Sequence, residues 1–472
     1  MKTNRFIATT PRLMQVKVLL ATVLLAFAFV AIHPMLARAD MRIQKVESPA
    51  GITAWLVEDY SVPIVSMRFA FRGGSVQDPG GKEGLSYLMS GLFDEGAGDL
   101  DREAFQDRLD DSGAEISFSA DTDEILGSFR AIDEDLEEGF ALLAKAVQSP
   151  RFDPEPLERV RSQILTGIEA GSRDPQEQSN RKWAAALYGD HPYASPTEGT
   201  AESVKTLTRE DLVAQHEAVF ARDNLVVSVV GAIDAETLGR YLDQVFAPLP
   251  AKADLREVPK VMPELGQELS VAYDLPQTSI RMAYPGVDRK DPGFFAAYLM
   301  NEVLGGGTFS SRLFEEVREK RGLTYGIGSS LSTRRYSSGL GIATSTRSDR
   351  VSETLAIIKD EVQRMAEEGP TEEELEAAKR YTIGAYAINN LDSSTSIAST
   401  LTQLQLEDLG IDYIDRREAL IEAVTIDQVR EQAQRLLTTT PTVMLVGPEQ
   451  GGGSDQPAAS ETPAKPETET GG

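Results

Sequence analysis

The chain contains no cysteine and only three histidines in 472 residues. The absence of cysteine excludes disulfides, thiolate metal sites and a cysteine nucleophile. Aromatic residues make up 7% of the sequence, with tryptophan present twice. Positive charge is also scarce: 47 lysines and arginines face 74 aspartates and glutamates, for a net charge of -27. Such a chain repels nucleic-acid phosphates and acidic lipid surfaces, which need clustered basic side chains. Neither is expected as a partner. What is present is 41% hydrophobic residues, enough for ordinary buried cores, and a length that suits two or more domains.

The first residues have the layout of a secretory signal peptide. Lys2, Arg5, Arg12 and Lys17 give a basic start, Val18 to Ile32 is apolar, and Ala37-Arg38-Ala39 offers a small-x-small cleavage site. The apolar run is shorter than the ~20 residues that span a bilayer, and Pro34 follows it. Cleavage after Ala39 is therefore expected over a retained anchor, giving a periplasmic or secreted protein. No second long apolar run follows, so no stable membrane insertion is expected after cleavage.

The rest of the chain reads as one programme run twice. Val65 to Phe71 alternates like a strand and ends at Gly73-Gly74. A helix is expected from about Gly84. Leu136, Phe140, Leu143 and Val147 mark an amphipathic helix, and Asp153-Pro154-Glu155-Pro156 opens another. Val226 to Val230 is a β-branched strand closed by Gly231. Residues 249–267 carry three prolines and mixed charge, as a linker does. Then Thr278 to Tyr284 repeats the first strand, and Tyr298-Leu299-Met300 echoes Tyr87-Leu88-Met89. Val351 to Met365 and the segment after Pro370 repeat the helices, and Val443 to Val446 closes with Gly447. Two similar halves of α+β type follow, with the strands on one side and helices on the other. The tail from Glu449, rich in Gly, Pro, Thr and Glu, is expected to be disordered.

Other chemistry is weakly supported. Gly305-Gly306-Gly307 precedes a helix, but no Gly-Lys-Ser/Thr follows, so a phosphate loop is not indicated. Asp133-Glu134-Asp135 lacks the glycine and ligand spacing of a calcium loop and fits a helix N-terminus instead.

The segment Gly74 to Phe93, GSVQDPGGKEGLSYLMSGLF, resembles the pitrilysin/insulinase peptidases. In that family a strand, a turn and a Gly-led helix carry His-x-x-Glu-His, whose histidines bind zinc and whose glutamate is the general base. Aligned on Gly84-Leu85-Ser86, those positions hold Tyr87, Ser90 and Gly91. The third ligand, a glutamate on a later helix, falls on Gly167, with Glu169 nearby. Once the signal peptide leaves, only His191 and His216 remain, too far apart in sequence for a zinc pair. His191 sits in a Gly-Asp-His-Pro-Tyr loop of the family and His216 on a helix, and both are expected to be structural.

The second half keeps something specific. The string LGGGTFSSRLFEEVREKRGLTYG, from Leu304 to Gly326, resembles the family's C-terminal substrate-binding segment, with Arg318 and Tyr325 at the places of its Arg/Tyr pair. Pairing Phe105 with Phe314 and Gly113 with Gly322 sets Leu109 opposite Arg318 and Ile116 opposite Tyr325.

The resemblance implies a clamshell-like α+β fold as in the mitochondrial processing peptidase family, with two homologous halves, each an antiparallel-rich sheet with helices packed on one face. The expected organisation is a signal peptide at 1–39, a first peptidase-like domain at 40–255 with a degenerate zinc site, a second at 256–448 carrying Arg318 and Tyr325, and a tail at 449–472. It also implies a role as the non-catalytic, substrate-binding subunit of a heterodimeric zinc peptidase, the zinc lying in a His-x-x-Glu-His paralogue and a peptide as substrate. An inert peptide-binding or scaffold protein of the same fold is the alternative.

Overall fold

A computed structural model describes residues 41–449. The expected signal peptide and nearly all of the expected disordered tail lie outside the described residues. Two sheets organise the chain. The first has strand order β1-β2-β6-β3-β5-β4, with β1 Gln44–Glu47, β2 Thr53–Glu58, β3 Ile64–Arg72, β4 Glu115–Ala120, β5 Glu124–Ile132 and β6 Leu225–Gly231. The second has order β7-β11-β8-β10-β9, with β7 Glu268–Ala272, β8 Gln277–Pro285, β9 Thr324–Thr333, β10 Ser338–Arg347 and β11 Thr442–Gly447. Each contains a parallel pair among antiparallel neighbours, β2 with β6 and, at the sheet edge, β7 with β11.

Alternation in β3 decides which face becomes core. Val65, Met67, Phe69 and Phe71 point into one hydrophobic cluster, while Ser66, Arg68 and Ala70 point the other way. That cluster is aromatic at its centre: Phe71 packs on Phe220 at 4.2 Å between ring centroids and Phe93 on Phe118 at 4.3 Å. Covering it are helices α1 Leu85–Ser90, α2 Arg102–Ser112, α3 Leu136–Gln148, α4 Pro154–Ser172, α7 Arg209–Val219 and α8 Ala235–Phe246. The second cluster is largely aliphatic, with Ile280, Met282, Leu340 and Ile342 from the sheet. Over it lie α9 Phe294–Asn301, α10 Val351–Glu368, α11 Glu372–Asn390 and α14 Ile426–Leu437. Thr371 caps α11 reciprocally with Glu374, which explains why the helix starts just after Pro370.

The two halves exchange helices. Helix α12, Ser394–Leu406, belongs to the second half in sequence but lies on β3 and β6 of the first sheet. Its Gln405 Nε2 donates to Ser228 Oγ and Val227 O, both at 2.8 Å, and Ala398 and Leu401 are fully buried. In return α5, Pro175–Tyr188, lies against β7 and β11 of the second sheet. Lys182 Nζ donates to Ser270 O at 2.8 Å, and Arg281 donates to Asn180 Oδ1 at 2.7 Å. Each sheet therefore has helices of its own half on one face and a borrowed helix on the other. This adds a layer to the expected single-faced packing.

Residues 250–267 form no helix or strand, as a linker should, yet they are fastened throughout. The backbone of Arg256 exchanges bonds with the Gln77 side chain, and its guanidinium donates to Val76 O and Asp78 O. Val261 N donates to Tyr336 O at 2.8 Å and Glu264 N to Leu187 O at 2.8 Å.

Candidate functional site

The helix that should carry zinc ligands is built but bare. Gly84, at φ 91°, makes the left-handed entry to α1 that side chains resist. The buried Asp78 carboxylate fastens that entry, accepting from Gly84 N at 2.9 Å, Ser86 N at 3.0 Å and Ser86 Oγ at 2.6 Å. Burial raises the Asp78 pKa to about 7, against the pull of those donors. At the motif positions Tyr87 is partly exposed, the Ser90 hydroxyl is turned back to Tyr87 O at 2.9 Å, and Gly91 ends the helix. On α4 a side chain at Gly167 would meet open space, and the Glu169 carboxylate pairs with Arg173 at 3.0 Å in solvent. A hydroxyl bonded to its own helix, a phenol and two glycines do not fit a zinc ion. Among the described residues no group of three His, Cys, Asp or Glu is placed to hold a metal.

Both histidines of the described chain are used in packing. His191 Nδ1 accepts from Tyr193 N at 3.1 Å, and Nε2 faces Pro259 O at 3.0 Å as a donor. His216 Nε2 faces Val147 O at 2.8 Å beside Phe220, and burial lowers its pKa.

The structure brings Arg318 and Tyr325 together through two irregularities. Arg318 lies in a widened π-helical turn, Phe314–Glu319, in which Lys320 N reaches back five residues to Glu315 O at 2.9 Å. A second such turn, Glu302–Gly306, precedes it and closes with Gly307 N on Glu302 O at 2.9 Å. π-turns of this kind recur at functional sites because they displace side chains from the regular helical face. Tyr325 lies at a β-bulge. Thr344 pairs with Ile327 and Thr346 with Thr324, so Tyr325 and Gly326 together oppose Ser345. The extra residue turns Tyr325 out of the sheet, and it is 91% exposed.

Arg318 spans the gap between these features. Its Nε donates to Tyr325 O at 3.2 Å, its guanidinium lies 4.9 Å from the Phe314 ring centre, and it pairs with Glu319. Phe314 in turn meets the exposed Phe309 edge-on at 5.2 Å. The base of the turn is held by Arg312, whose Nε and second guanidinium nitrogen bind Glu374 at 2.7 and 2.6 Å. Burial works to raise the Glu374 pKa, but Arg312 and Thr371 outweigh it and hold it at about 2.

Two grooves flank Tyr325. One of ≈ 550 Å³ is bounded by Arg318, Arg321, Arg347 and Arg350; the other, of ≈ 420 Å³, runs past Gln176, Ser279 and Arg281. Arg347 and Arg350 were not singled out by the sequence, because only the pairing of β9 with β10 brings them to Tyr325. A cavity of ≈ 600 Å³ lies elsewhere, between Asp123, Glu124, Arg335 and Asp408. Its groups serve mainly to tie the halves: Arg335 N donates to Asp123 at 3.2 Å, and Arg72 donates to Asp408 at 3.1 Å.

Comparison with known proteins agrees with this geometry. Residues 54–201 match the family described as insulinase (peptidase family M16), and residues 206–382 match the peptidase M16 inactive domain. The second match begins before β6, the last strand of the first sheet. A protein of Mycobacterium leprae described as an uncharacterized zinc protease is 29% identical over 67% of this chain and 72% of its own length. A Helicobacter pylori protein described as a non-peptidase homolog is 25% identical over 74% of this chain and 81% of its own. Among solved structures, a peptidase M16 inactive domain from Pseudomonas fluorescens superposes with a TM-score of 0.80 at 29% identity, covering 86% of this chain and 98% of that one. Fold, matched segments and relatives agree: the chain belongs to the pitrilysin/insulinase (M16) family of peptidases.

Proposed function

We propose that this chain is the non-catalytic, substrate-binding subunit of a heterodimeric zinc peptidase that cleaves peptides. The observation that carries the reading is a one-sided loss. The zinc-helix positions hold Tyr87, Ser90 and Gly91, with Gly167 on α4, while Arg318 and Tyr325 stand together on an exposed π-turn and bulge. Drift alone would not spare one set and empty the other. In this reading a His-x-x-Glu-His paralogue supplies the zinc and the base. Arg318 offers a fixed positive fork to the peptide backbone, and the Tyr325 hydroxyl donates toward the scissile carbonyl. The basic and apolar start of the sequence supports a location outside the cytoplasm, periplasmic or secreted, for this subunit.

The test is reconstitution. The chain alone should cleave nothing, and mixing it with the zinc-binding paralogue should produce peptide cleavage. Arg318→Ala or Tyr325→Phe should lower kcat by about 10²–10³-fold, the usual loss for one preorganised donor. Undiminished cleavage by both variants would sink the proposal. The Helicobacter relative described as a non-peptidase homolog favours a second reading, an inert peptide-binding or scaffold protein. That reading gains if no paralogue co-purifies from the native compartment while peptide binding persists.

A further inference from the structure

The ≈ 550 Å³ groove beside Tyr325 departs from the background of the molecule. In a chain with 74 acidic and 47 basic residues, four guanidinium groups edge this one groove, Arg318, Arg321, Arg347 and Arg350, against two carboxylates, Glu319 and Glu353. They come from two places in the sequence. The first two flank the end of the π-turn; of the others, Arg347 ends β10 and Arg350 stands at the N-cap of α10. Pairing of Thr324 with Thr346 fixes them side by side.

Their present partners differ. Arg321 binds Glu316 at 2.6 Å, and Glu316 is mostly buried, so this pair is part of the scaffold. Arg347 pairs with Asp349 two residues on, and Arg350 with Glu353 three residues on. In both of those pairs the two side chains are largely exposed. Exposed local pairs are weak, so an incoming carboxylate can take the place of Asp349 or Glu353 at little cost. A planar guanidinium is suited to hold it by donating two parallel hydrogen bonds.

Spacing places that carboxylate. Tyr325 and Gly326 oppose Ser345, and Arg347 is two residues farther along the same face of β10. An extended peptide advances about 3.3 Å per residue, as a strand does. We propose that Arg347 and Arg350 form a subsite for a carboxylate of the bound peptide, either an acidic side chain or the C-terminal group, about two residues from the point held at Tyr325. This rests on the reading of Arg318 and Tyr325 as a peptide grip, and it adds a charge preference that the grip alone does not have.

Fluorescence anisotropy on the full chain tests it, with labelled extended peptides that differ by Glu, Gln or Lys at one scanned position and by a free or amidated C-terminus. At low salt the expected result is binding on the order of ten-fold tighter for the peptide bearing the carboxylate. Dependence on the scanned residue assigns the subsite to a side chain, and dependence on amidation assigns it to the C-terminus; either supports the proposal. The double variant Arg347→Gln/Arg350→Gln should bind all peptides alike, and Arg347→Glu/Arg350→Glu should prefer the Lys peptide. Equal affinities in the unaltered chain, together with weaker binding on Arg318→Ala, would overturn the carboxylate subsite and leave the peptide grip standing. Binding indifferent to Arg318→Ala, or no binding of any peptide, would overturn both.

Discussion

The two halves meet the same chain segment in opposite ways. In the first, Phe105 is buried at the head of a regular helix, Leu109 is 6% exposed, Gly113 turns at φ 59° and Ile116 enters an unbroken strand ladder at 8% exposure. In the second, Phe314 is buried, Arg318 is displaced by a π-turn, Gly322 turns at φ 61° and Tyr325 is thrown out by a bulge. The frame is common to both, a buried phenylalanine and a left-handed glycine eight residues later. What differs is regularity. Where the elements are regular the residues between are core, and where each carries an irregular turn they are presented to solvent. Presentation thus depends on local distortion as much as on the exchange of apolar for polar side chains.

The largest expected effect comes from forcing the second half's chemistry on the first. Leu109→Arg places an unpaired charge in a packed core and should cost about 3–5 kcal/mol or prevent folding, seen as a collapsed denaturant midpoint. Next is the anchor of the π-turn. Glu374→Ala removes the two bonds donated by Arg312 and those donated by Thr371, and should cost about 2 kcal/mol, reduced from the fully buried case by partial exposure. Its pH dependence has a fixed sign. The folded pKa, about 2, is below the ordinary 4.5, so the stabilisation is present above pH 4.5 and is lost as pH falls through 2. Urea midpoints of the two proteins should therefore converge on acidification. Smaller still, Gly113→Ala and Gly322→Ala should cost about 1–2 kcal/mol each and nearly equally, since both turns are left-handed and a methyl group meets open space at either. Unequal costs in thermal unfolding would break the equivalence of the two frames. Least of all, Arg318→Leu and Tyr325→Phe should move stability by no more than about 0.5 kcal/mol, since neither exposed side chain supports the core.

Much of this arrangement is legible in the sequence, and the rest is hidden for physical reasons. The strand at Val65 to Phe71 shows because its alternate residues face a core, and the helix after Pro370 shows because Thr371 and Glu374 are a local capping pair. Arg318 and Tyr325 are visible through the resemblance of a long string. The π-turn and the bulge are invisible, because a one-residue change of pairing leaves composition and period almost untouched. Arg347 and Arg350 are hidden because their nearness to Tyr325 is a matter of register between strands. The helix exchange is hidden too: Ala398, Leu401 and Gln405 make an ordinary amphipathic face, and nothing in it names the sheet it will cover.

That exchange has a consequence for how the chain can be divided. A cut near residue 255 would take α12 from the first sheet and α5 from the second, uncovering Ser66, Ser228 and the borrowed face of each. Neither fragment would be a finished object. The two halves are like a pair of hands clasped by the fingers, each sheet finished by a helix that the other half supplies. In the proposed heterodimer, an opening that admits a peptide would then occur against the second chain rather than at the seam within this one.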